Sequence, residues 1–104
     1  MPQMAIIVEF ETLQNQEAAF LEVISEHARK TLEEEPGCVR FEVIRPVERD
    51  GTPVPRRIIV NELYADEAAV AAHEANPRMP AVGAATKPLL ASRRLILAEV
   101  LSVP

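Results

Sequence analysis

The sequence predicts an α+β domain in which two helices cover one face of a four-stranded antiparallel sheet. Four short runs rich in β-branched and apolar side chains are typical of strands. Two further segments carry apolar residues at helical spacing, and each has a clear start or stop signal. With 104 residues, the chain is expected to form one domain over residues 1–104 with a single small core.

The first half of the chain is predicted to begin with a strand and a long helix. The strand runs from Met4 to Glu11, and the helix begins at Asn15 or the residue before it and ends at Glu35. Pro36 stops the helix because the residue before a proline is pushed out of the helical region, and Gly37 tolerates a left-handed cap. The helix should bury one stripe of side chains, which are Leu13, Phe20, Ile24, Ala28, Thr31 and Leu32, with Leu21 beside them.

A hairpin is predicted next, formed by the strands Val39 to Arg45 and Arg57 to Tyr64. Its loop holds the turn pair Asp50-Gly51 between prolines, which do not fit a sheet interior. Asp66 then caps a second helix, Glu67 to about Ala75, because an acidic residue suits the positive end of a helix.

The last predicted elements are a broken connector and a fourth strand. Residues Asn76 to Pro88 hold three prolines and one glycine, so they should form only one or two short helical turns, placed like a lid. The strand runs from Arg93 to Val103. The order β-α-β-β-α-β is a ferredoxin-like arrangement with the helices on one face of the sheet.

The predicted strands are apolar on both faces, although a sheet with water on one side should alternate more cleanly. A chain of this length has no further element to cover the second face, so a homodimer packed sheet against sheet is expected. One face carries Ile6, Val8, Phe10, Ile58, Val60, Leu95, Leu97 and Leu101, and the other carries Ile7, Ile59, Leu63, Ile96 and Val100.

Composition argues against several classes of function. The formal net charge is −5 and no basic run stands out, so no nucleic-acid surface is predicted. No apolar run approaches a membrane span and the N-terminus does not resemble a signal peptide, so a cytoplasmic protein without membrane association is expected. The single cysteine, Cys38, should pack in the core rather than act as a nucleophile. Two histidines and one cysteine spread over three elements predict no metal site.

Glu62 is the first candidate site residue, because it shares one face of its strand with Val60 and Tyr64. A carboxylate on a mostly apolar strand is costly to bury unless it is paired or hydrogen-bonded. Two interpretations stay open. Glu62 binds a neighbouring strand or a second copy of the chain, or it lines a pocket with a raised pKa and takes a proton from a phenolic substrate.

The other polar candidates carry the same ambiguity. His73 lies near the end of the second helix and His27 at the edge of the buried stripe of the first, so each is either structural or part of a site. Tyr64 is either a core residue with its hydroxyl bonded or a donor to a substrate oxygen. Arg78, on the connector, is either solvated or an anchor for an anionic or carbonyl oxygen.

Phe41 and Val60 would supply apolar lining. We expect Glu62, Tyr64 and His73 to border one cavity between the helices and the sheet. No glycine-rich phosphate loop or nucleotide fingerprint accompanies them, so no flavin, nicotinamide or other cofactor is predicted.

Two segments carry a family resemblance. Glu35-Pro36-Gly37-Cys38 leads from a helix stop into a strand, and the pattern Glu62-x-Tyr64-x-Asp66-x-x-Ala69-x-x-x-His73 leads from a strand into a capped helix. Together they resemble the antibiotic biosynthesis monooxygenase family, in particular its quinol monooxygenase branch. The resemblance covers nearly the whole chain and implies a dimeric ferredoxin-like α+β barrel.

The resemblance also implies a chemistry. Several members of the family oxygenate phenols, anthrones or quinols with O2 and without metal or flavin. In such enzymes the protein deprotonates the substrate in a dry pocket, and the anion reduces O2 directly. Two features depart from the pattern. Arg78 replaces a second histidine common in the quinol branch, and the absence of tryptophan argues against heme degradation.

Three functions therefore stay open. The first is a cofactor-independent monooxygenase acting on a small aromatic or quinol-like substrate. The second is an isomerase or lyase of a small signalling metabolite, in which Glu62 and His73 shuttle a proton. The third is a non-catalytic dimeric module that binds an aromatic ligand.

Overall fold

Four strands form one sheet, and three helices lie over one of its faces. The computed structural model describes residues 2–103. The strands are β1 (Met4–Thr12), β2 (Cys38–Ile44), β3 (Arg57–Tyr64) and β4 (Leu90–Glu99), and the helices are α1 (Glu17–Glu34), α2 (Glu67–Glu74) and α3 (Arg78–Thr86), with a 3₁₀ turn at Lys87–Leu89. The order β2-β3-β1-β4 is antiparallel throughout, which confirms the predicted ferredoxin-like α+β class. No helix within residues 2–103 is long and apolar enough to cross a membrane.

The register of β1 decides which side chains face the helices. Every second residue of β1 from Met4 to Thr12 is buried, because these side chains point into the space between sheet and helices. Ile6 lies opposite Glu62 of β3, and Phe10 lies opposite Arg93 of β4. Both charged residues therefore stand on the helix-covered face of the sheet.

The buried stripe of α1 differs from the prediction at its ends. Phe20, Ile24, Ala28 and Thr31 are buried as expected, together with His27. Leu13 and Leu32 are 43% and 44% exposed. Leu13 precedes the helix, which begins only at Glu17, and Leu32 lies about 100° around the helix from Thr31, beyond the edge of the stripe.

The connector after α2 is a regular helix, so the prediction of one or two broken turns is wrong. Pro80 lies in the first turn of α3, where a backbone N–H has no partner within the helix and proline is tolerated. Gly83 is accommodated in the middle of the helix. Pro80, which had suggested a broken connector, therefore marks the first turn of a helix.

The fourth strand also differs from its predicted bounds. β4 begins at Leu90 and ends at Glu99 because its partner strand sets its length. Leu90 pairs with Thr12 at one end of β1, and Glu99 pairs with Met4 at the other. Leu101 lies beyond the ladder and is 86% exposed, so its predicted place on a strand face is wrong.

The sheet face turned away from the helices is apolar and only partly covered. Its larger apolar side chains are half-buried in the single chain, and they are Ile7, Ile59, Leu63 and Ile96. The structure thus reproduces the predicted two-sided pattern, with a second apolar surface that this chain itself leaves open.

Candidate functional site

A cavity of about 660 Å³ lies between the sheet and the helices. This volume is within the usual range for a small-molecule site. Its floor comes from the sheet strands and its roof from α1, α2 and α3. Most of the wall is apolar, and it includes Ile6, Val8, Phe10, Ile24, Phe41, Val60, Met79, Val82, Leu90 and Leu95. The polar and charged residues of the wall are His27, Glu62, His73, Glu74, Thr86, Lys87, Ser92 and Arg93.

Glu62 and His73 are the most deeply buried of these polar groups. Glu62 is 4% exposed, and its Oε1 accepts a hydrogen bond from the Tyr64 hydroxyl at 2.6 Å. Burial raises the pKa of the Glu62 carboxyl, and the bond from Tyr64 and the nearby His73 oppose that rise. A carboxyl in this state binds a proton more readily than a solvated one, which suits a base acting on a weakly acidic hydroxyl.

Tyr64 lies behind the wall and not in it. Its side chain is completely buried and is absent from the cavity lining, so the expectation that it borders the cavity is wrong. The register explains this. Tyr64, the last residue of β3, pairs with Cys38, the first residue of β2, and lies beneath α2. Burial, and then the Glu62 carboxylate, raise the pKa of its phenol, so Tyr64 stays protonated and orients Glu62.

His73 lies in the wall between two carboxylates. Its Nδ1 is 2.8 Å from Oε1 of Glu35, and its Nε2 is 3.6 Å from Oε1 of Glu62. Only Glu35 is at hydrogen-bond distance, and a carboxylate can only accept, so the proton of a neutral His73 ring lies on Nδ1. Nε2 is too far from Glu62 for a hydrogen bond and keeps a free lone pair. His73 is thus set up as an acceptor on the side facing Glu62.

Two local features place α2 so that His73 reaches Glu35. The Asp66 side chain accepts a hydrogen bond from the Ala69 backbone N–H at 2.8 Å, which confirms the predicted cap. Gly37 packs directly under the helix, and a Cβ at this position would lie 2.4 Å from Cβ of Ala69. Only glycine allows this approach, since real side chains do not come so close.

Glu35 is the site residue that the sequence analysis missed. Its carboxylate accepts from Arg78 Nη2 at 2.5 Å and bonds His73 through the other oxygen. A signal existed in the sequence. An acidic residue at the C-terminus of a helix meets the negative end of the helix dipole and is unfavourable there without a cationic or hydrogen-bonding partner.

Arg78 does not line the cavity, so the expectation that it contacts a substrate there is wrong. Its guanidinium lies behind the wall, where it binds Glu35 and approaches Nδ1 of His27 at 3.3 Å. An arginine can only donate, so Nδ1 of His27 accepts, and the proton of the neutral ring is on Nε2. Arg78 thereby orients two groups of the site without facing the ligand.

His27 lies in the cavity wall, with its ring edge-on to Phe41 at 5.5 Å between centroids. Burial, followed by the neighbouring His73 and Arg78, lowers the pKa of His27 to about 4. The ring is neutral at physiological pH and offers a hydrogen-bond donor rather than a charge.

Cys38 is buried, and burial raises the pKa of its thiol to about 11, which leaves it protonated and unreactive. Within residues 2–103, no group of three or more His, Cys, Asp and Glu side chains is arranged to hold a metal ion.

The fold and the cavity define a class of small α+β proteins with a pocket between sheet and helices. The chain belongs to the antibiotic biosynthesis monooxygenase family, whose model matches residues 4–85. A search of curated proteins finds no match.

Solved structures share the fold over almost the whole chain. A candidate antibiotic biosynthesis monooxygenase from Caulobacter crescentus is 24% identical, with a TM-score of 0.84, over 97% of this chain and 92% of that one. A protein of unknown function from Nitrosomonas europaea is 25% identical, with a TM-score of 0.80, over 100% and 94%. A mutant of SnoaB, a cofactor-independent oxygenase from Streptomyces nogalater, is 19% identical, with a TM-score of 0.81, over 99% and 97%.

Proposed function

We propose that this protein is a cofactor-independent monooxygenase that oxidises a quinol or polycyclic phenol in the cavity. One observation carries the proposal. A buried carboxylate, Glu62, and a histidine held by a second carboxylate lie side by side in the wall of a mainly apolar cavity. The family and the structural similarity to a cofactor-independent oxygenase support it.

Glu62 and His73 would remove a proton from the substrate hydroxyl. The raised pKa of Glu62 and the free Nε2 of His73 both favour proton uptake from a phenol. The two groups are 3.6 Å apart, so a small movement brings them into hydrogen-bond contact and a proton can pass between them. The Nε2–H of His27 can donate to the substrate oxyanion that forms.

The substrate anion would then supply the electrons for O2. In the net reaction one oxygen atom enters the substrate ring and the other leaves as water, so a quinol and O2 give a hydroxyquinone and water. Two substrate hydrogens leave with that water, and no external reductant is consumed. The apolar wall keeps bulk water away from the carbanion-like intermediate, so that water does not protonate it before it reacts with O2.

The test measures oxygen incorporation. With 1,4-dihydroxynaphthalene and ¹⁸O2, the protein should form hydroxynaphthoquinone carrying one labelled oxygen. Glu62→Gln should lower the rate about 10²-fold or more, because it keeps the shape and removes the base. Glu48→Gln is the matched control, since Glu48 is exposed in the hairpin loop and does not line the cavity.

Three outcomes would contradict the proposal. Product without label would show only autoxidation. Wild-type turnover by both Glu62→Gln and His73→Ala would make the pair structural. Exchange of substrate C–H protons with deuterium, without oxygen uptake, would favour an isomerase that uses the same two groups.

We also propose that the protein works as a homodimer, with the open apolar sheet faces packed together. Such obligate interfaces typically bury about 2,000 Å² or more in total. Ile59→Lys places a charge in the middle of that face and should yield monomers in sedimentation. The matched exposed substitution Val47→Lys, in the hairpin loop, should leave the dimer intact. A wild-type monomer at micromolar concentration would remove this proposal.

A further inference from the structure

We propose that Arg78 is a positioning residue. Together with Glu35 it gives the two histidines of the cavity wall opposite tautomers, so that they hold a substrate hydroxyl from both sides. His73 accepts the hydroxyl proton, and His27 donates to the hydroxyl oxygen. The inference rests on the proposed function, because it takes the substrate hydroxyl to lie in this part of the cavity. It adds how the protein fixes the direction of each hydrogen bond.

Arg78 spans three residues that lie in one row along α1 and its C-terminal end. His27, Thr31 and Glu35 follow one another at intervals of four residues, which places them on one side of the helix. Nη2 of Arg78 donates to Oε2 of Glu35 at 2.5 Å. Nη1 lies 3.4 Å from the Thr31 hydroxyl and 3.3 Å from Nδ1 of His27. The Thr31 hydroxyl gives its own proton to the backbone oxygen of His27, so towards Arg78 it can only accept.

One guanidinium therefore donates to three acceptors, and the third of them is Nδ1 of His27. Two of the three contacts, those to Glu35 and Thr31, hold the guanidinium in place whatever the state of the histidine. A proton on Nδ1 of His27 would face a group that can only donate. The neutral His27 ring consequently carries its proton on Nε2.

The position of His27 turns this proton towards the ligand. His27 lines the cavity and also an outer groove between α1 and α3, whereas Arg78 lines only the groove. Because Nδ1 faces Arg78 and Nε2 lies across the ring, the Nε2–H points to the cavity side. His73 has the opposite arrangement, with its proton directed at Glu35 and its free Nε2 on the side of Glu62.

The two rings are close enough to bind one hydroxyl group. Their centroids are 5.6 Å apart, and the rings are tilted by 42°. A hydroxyl donates one hydrogen bond and accepts another, which a ring with a free lone pair and a ring with an N–H satisfy together. Two N–H groups would leave the hydroxyl proton without an acceptor, and two lone pairs would leave its oxygen without a donor. The opposite tautomers thus match a hydroxyl better than a carbonyl or an ether, which have no proton to donate.

Nitrogen NMR of the wild-type protein tests the tautomers and depends on no variant. At pH 7, without ligand, the ring proton of His73 should be on Nδ1 and that of His27 on Nε2. The same tautomer in both rings would overturn the proposal, and so would protons on both nitrogens of His27.

Arg78→Met then removes the donor and its charge while keeping a long side chain. His73 should keep its proton on Nδ1 because Glu35 is unchanged. Burial, the largest cause of the low pKa of His27, also stays in place. Of the charged groups around that ring, His73 of α2 and Arg78 of α3 oppose a proton, and Glu35 favours one. In Arg78→Met the pKa of His27 should therefore rise above its value of about 4, and Arg78→Lys, which keeps the charge, should restore most of the difference.

Ligand binding tests the consequence, with 2-naphthol and naphthalene as probes. The wild-type protein should bind 2-naphthol about tenfold more tightly than naphthalene. Arg78→Met should weaken 2-naphthol binding about threefold or more, and it should leave naphthalene binding unchanged because naphthalene has no polar group. Arg29→Met is the matched control and should change neither affinity, since Arg29 is exposed and pairs with Glu26 and Glu33 of its own helix.

Equal weakening of both probes in Arg78→Met would mean that Arg78 only supports the fold, and no weakening of either would remove its role at His27. None of these measurements needs oxygen. The expected tautomers and hydroxyl binding without oxygen uptake would refute the monooxygenase proposal alone. Labelled product from the wild type, together with an unchanged His27 in Arg78→Met, would refute the positioning role alone.

Discussion

Replacing Glu35 with glutamine tests the support of the site most directly. The glutamate oxygens accept short hydrogen bonds from His73 and Arg78, and a longer one of 3.5 Å from Asn76. A glutamine has one oxygen and one NH2 group, so it satisfies only one donor and turns its NH2 group towards the other. Because Arg78 can only donate and His73 can also accept, the glutamine oxygen should face Arg78 and its NH2 group His73. Glu35→Gln therefore breaks the bond from Nδ1–H of His73 without changing the size of the side chain.

The expected cost follows from burial. The side chains of Glu35 and Arg78 are 11% and 18% exposed. Removing one partner of a fully buried ion pair costs about 3–5 kcal/mol, and the residual solvent contact here reduces this to about 2 kcal/mol. Loss of a carboxylate that fixes a catalytic histidine costs up to about 10⁴ in kcat. Because Glu62 is a second base in the proposed mechanism, we expect a fall of about 10²-fold in kcat and a smaller change in KM.

The assay combines urea unfolding with oxygen uptake, and Glu34→Gln is the control. Glu34, the last residue of α1, directly precedes Glu35 and lies 3.4 Å from Nε of the same arginine, but it is 54% exposed. Its replacement should cost less than about 0.5 kcal/mol and leave kcat unchanged. If the two variants behave alike in both assays, Glu35 does not support the site. Nitrogen NMR of His73 supplies a separate readout, since its Nδ1–H tautomer should be lost only in Glu35→Gln.

Three further predictions concern packing, pH and the thiol. Gly37→Ala should destabilise the protein by about 1–3 kcal/mol in urea unfolding because the added Cβ would clash with α2. Gly83 has open space around it, so Gly83→Ala should be neutral or stabilising. Equal losses of stability in the two variants would contradict the packing argument. Because the pKa of His27 is lowered to about 4, the folded protein binds fewer protons than the unfolded chain below pH 6.5. Its free energy of unfolding should therefore decrease as the pH falls from 6.5 to 4, by up to about 3 kcal/mol. The His27→Gln variant should not show this part of the decrease. If the wild type and the variant have the same pH profile, the lowered pKa of His27 is refuted. Cys38→Ser should retain full turnover, and a folded but inactive variant would show that the thiol has a chemical role.

The raised pKa of Glu62 acts in the opposite direction in the pH experiment. A carboxyl that holds its proton more tightly in the folded protein loses stability as the pH rises above its ordinary value near 4.5. This contribution is present in both the wild type and the His27 variant. The difference between their two pH profiles therefore gives the contribution of His27 to the free energy of unfolding.

Elements whose ends are set by neighbouring residues were predictable from sequence. β3 was predicted at its observed bounds because prolines precede it and Asp66 follows it. Asp66 caps α2 by binding the backbone N–H of a residue only three positions later, so this signal is local. The bounds of β4 depend on pairing with β1, whose residues lie 78 to 95 positions earlier in the chain (Thr12 with Leu90, Met4 with Glu99), and no local pattern encodes that register. Prolines were ambiguous for α3, because the first turn of a helix accepts them as readily as a loop does.

The site could be predicted only where one element determines it. Glu62 was found because a carboxylate on an apolar strand is anomalous in itself. Glu35 was missed and Arg78 was misplaced because both roles depend on the contact between these two residues, which are 43 positions apart in the chain. Tyr64 was placed on the correct strand face, but the sequence does not say which part of that face α2 covers.

The three-way contact at Glu35 has a consequence for local motion. One carboxylate at the end of α1 joins α2 through His73 and α3 through Arg78. Neither short helix can therefore swing away from the sheet without breaking a bond to the same side chain, so the two should open together as one cooperative unit. Native-state amide exchange would show this as a shared opening free energy for α2 and α3, and a protein that has lost that unit would be inactive while its sheet is still folded.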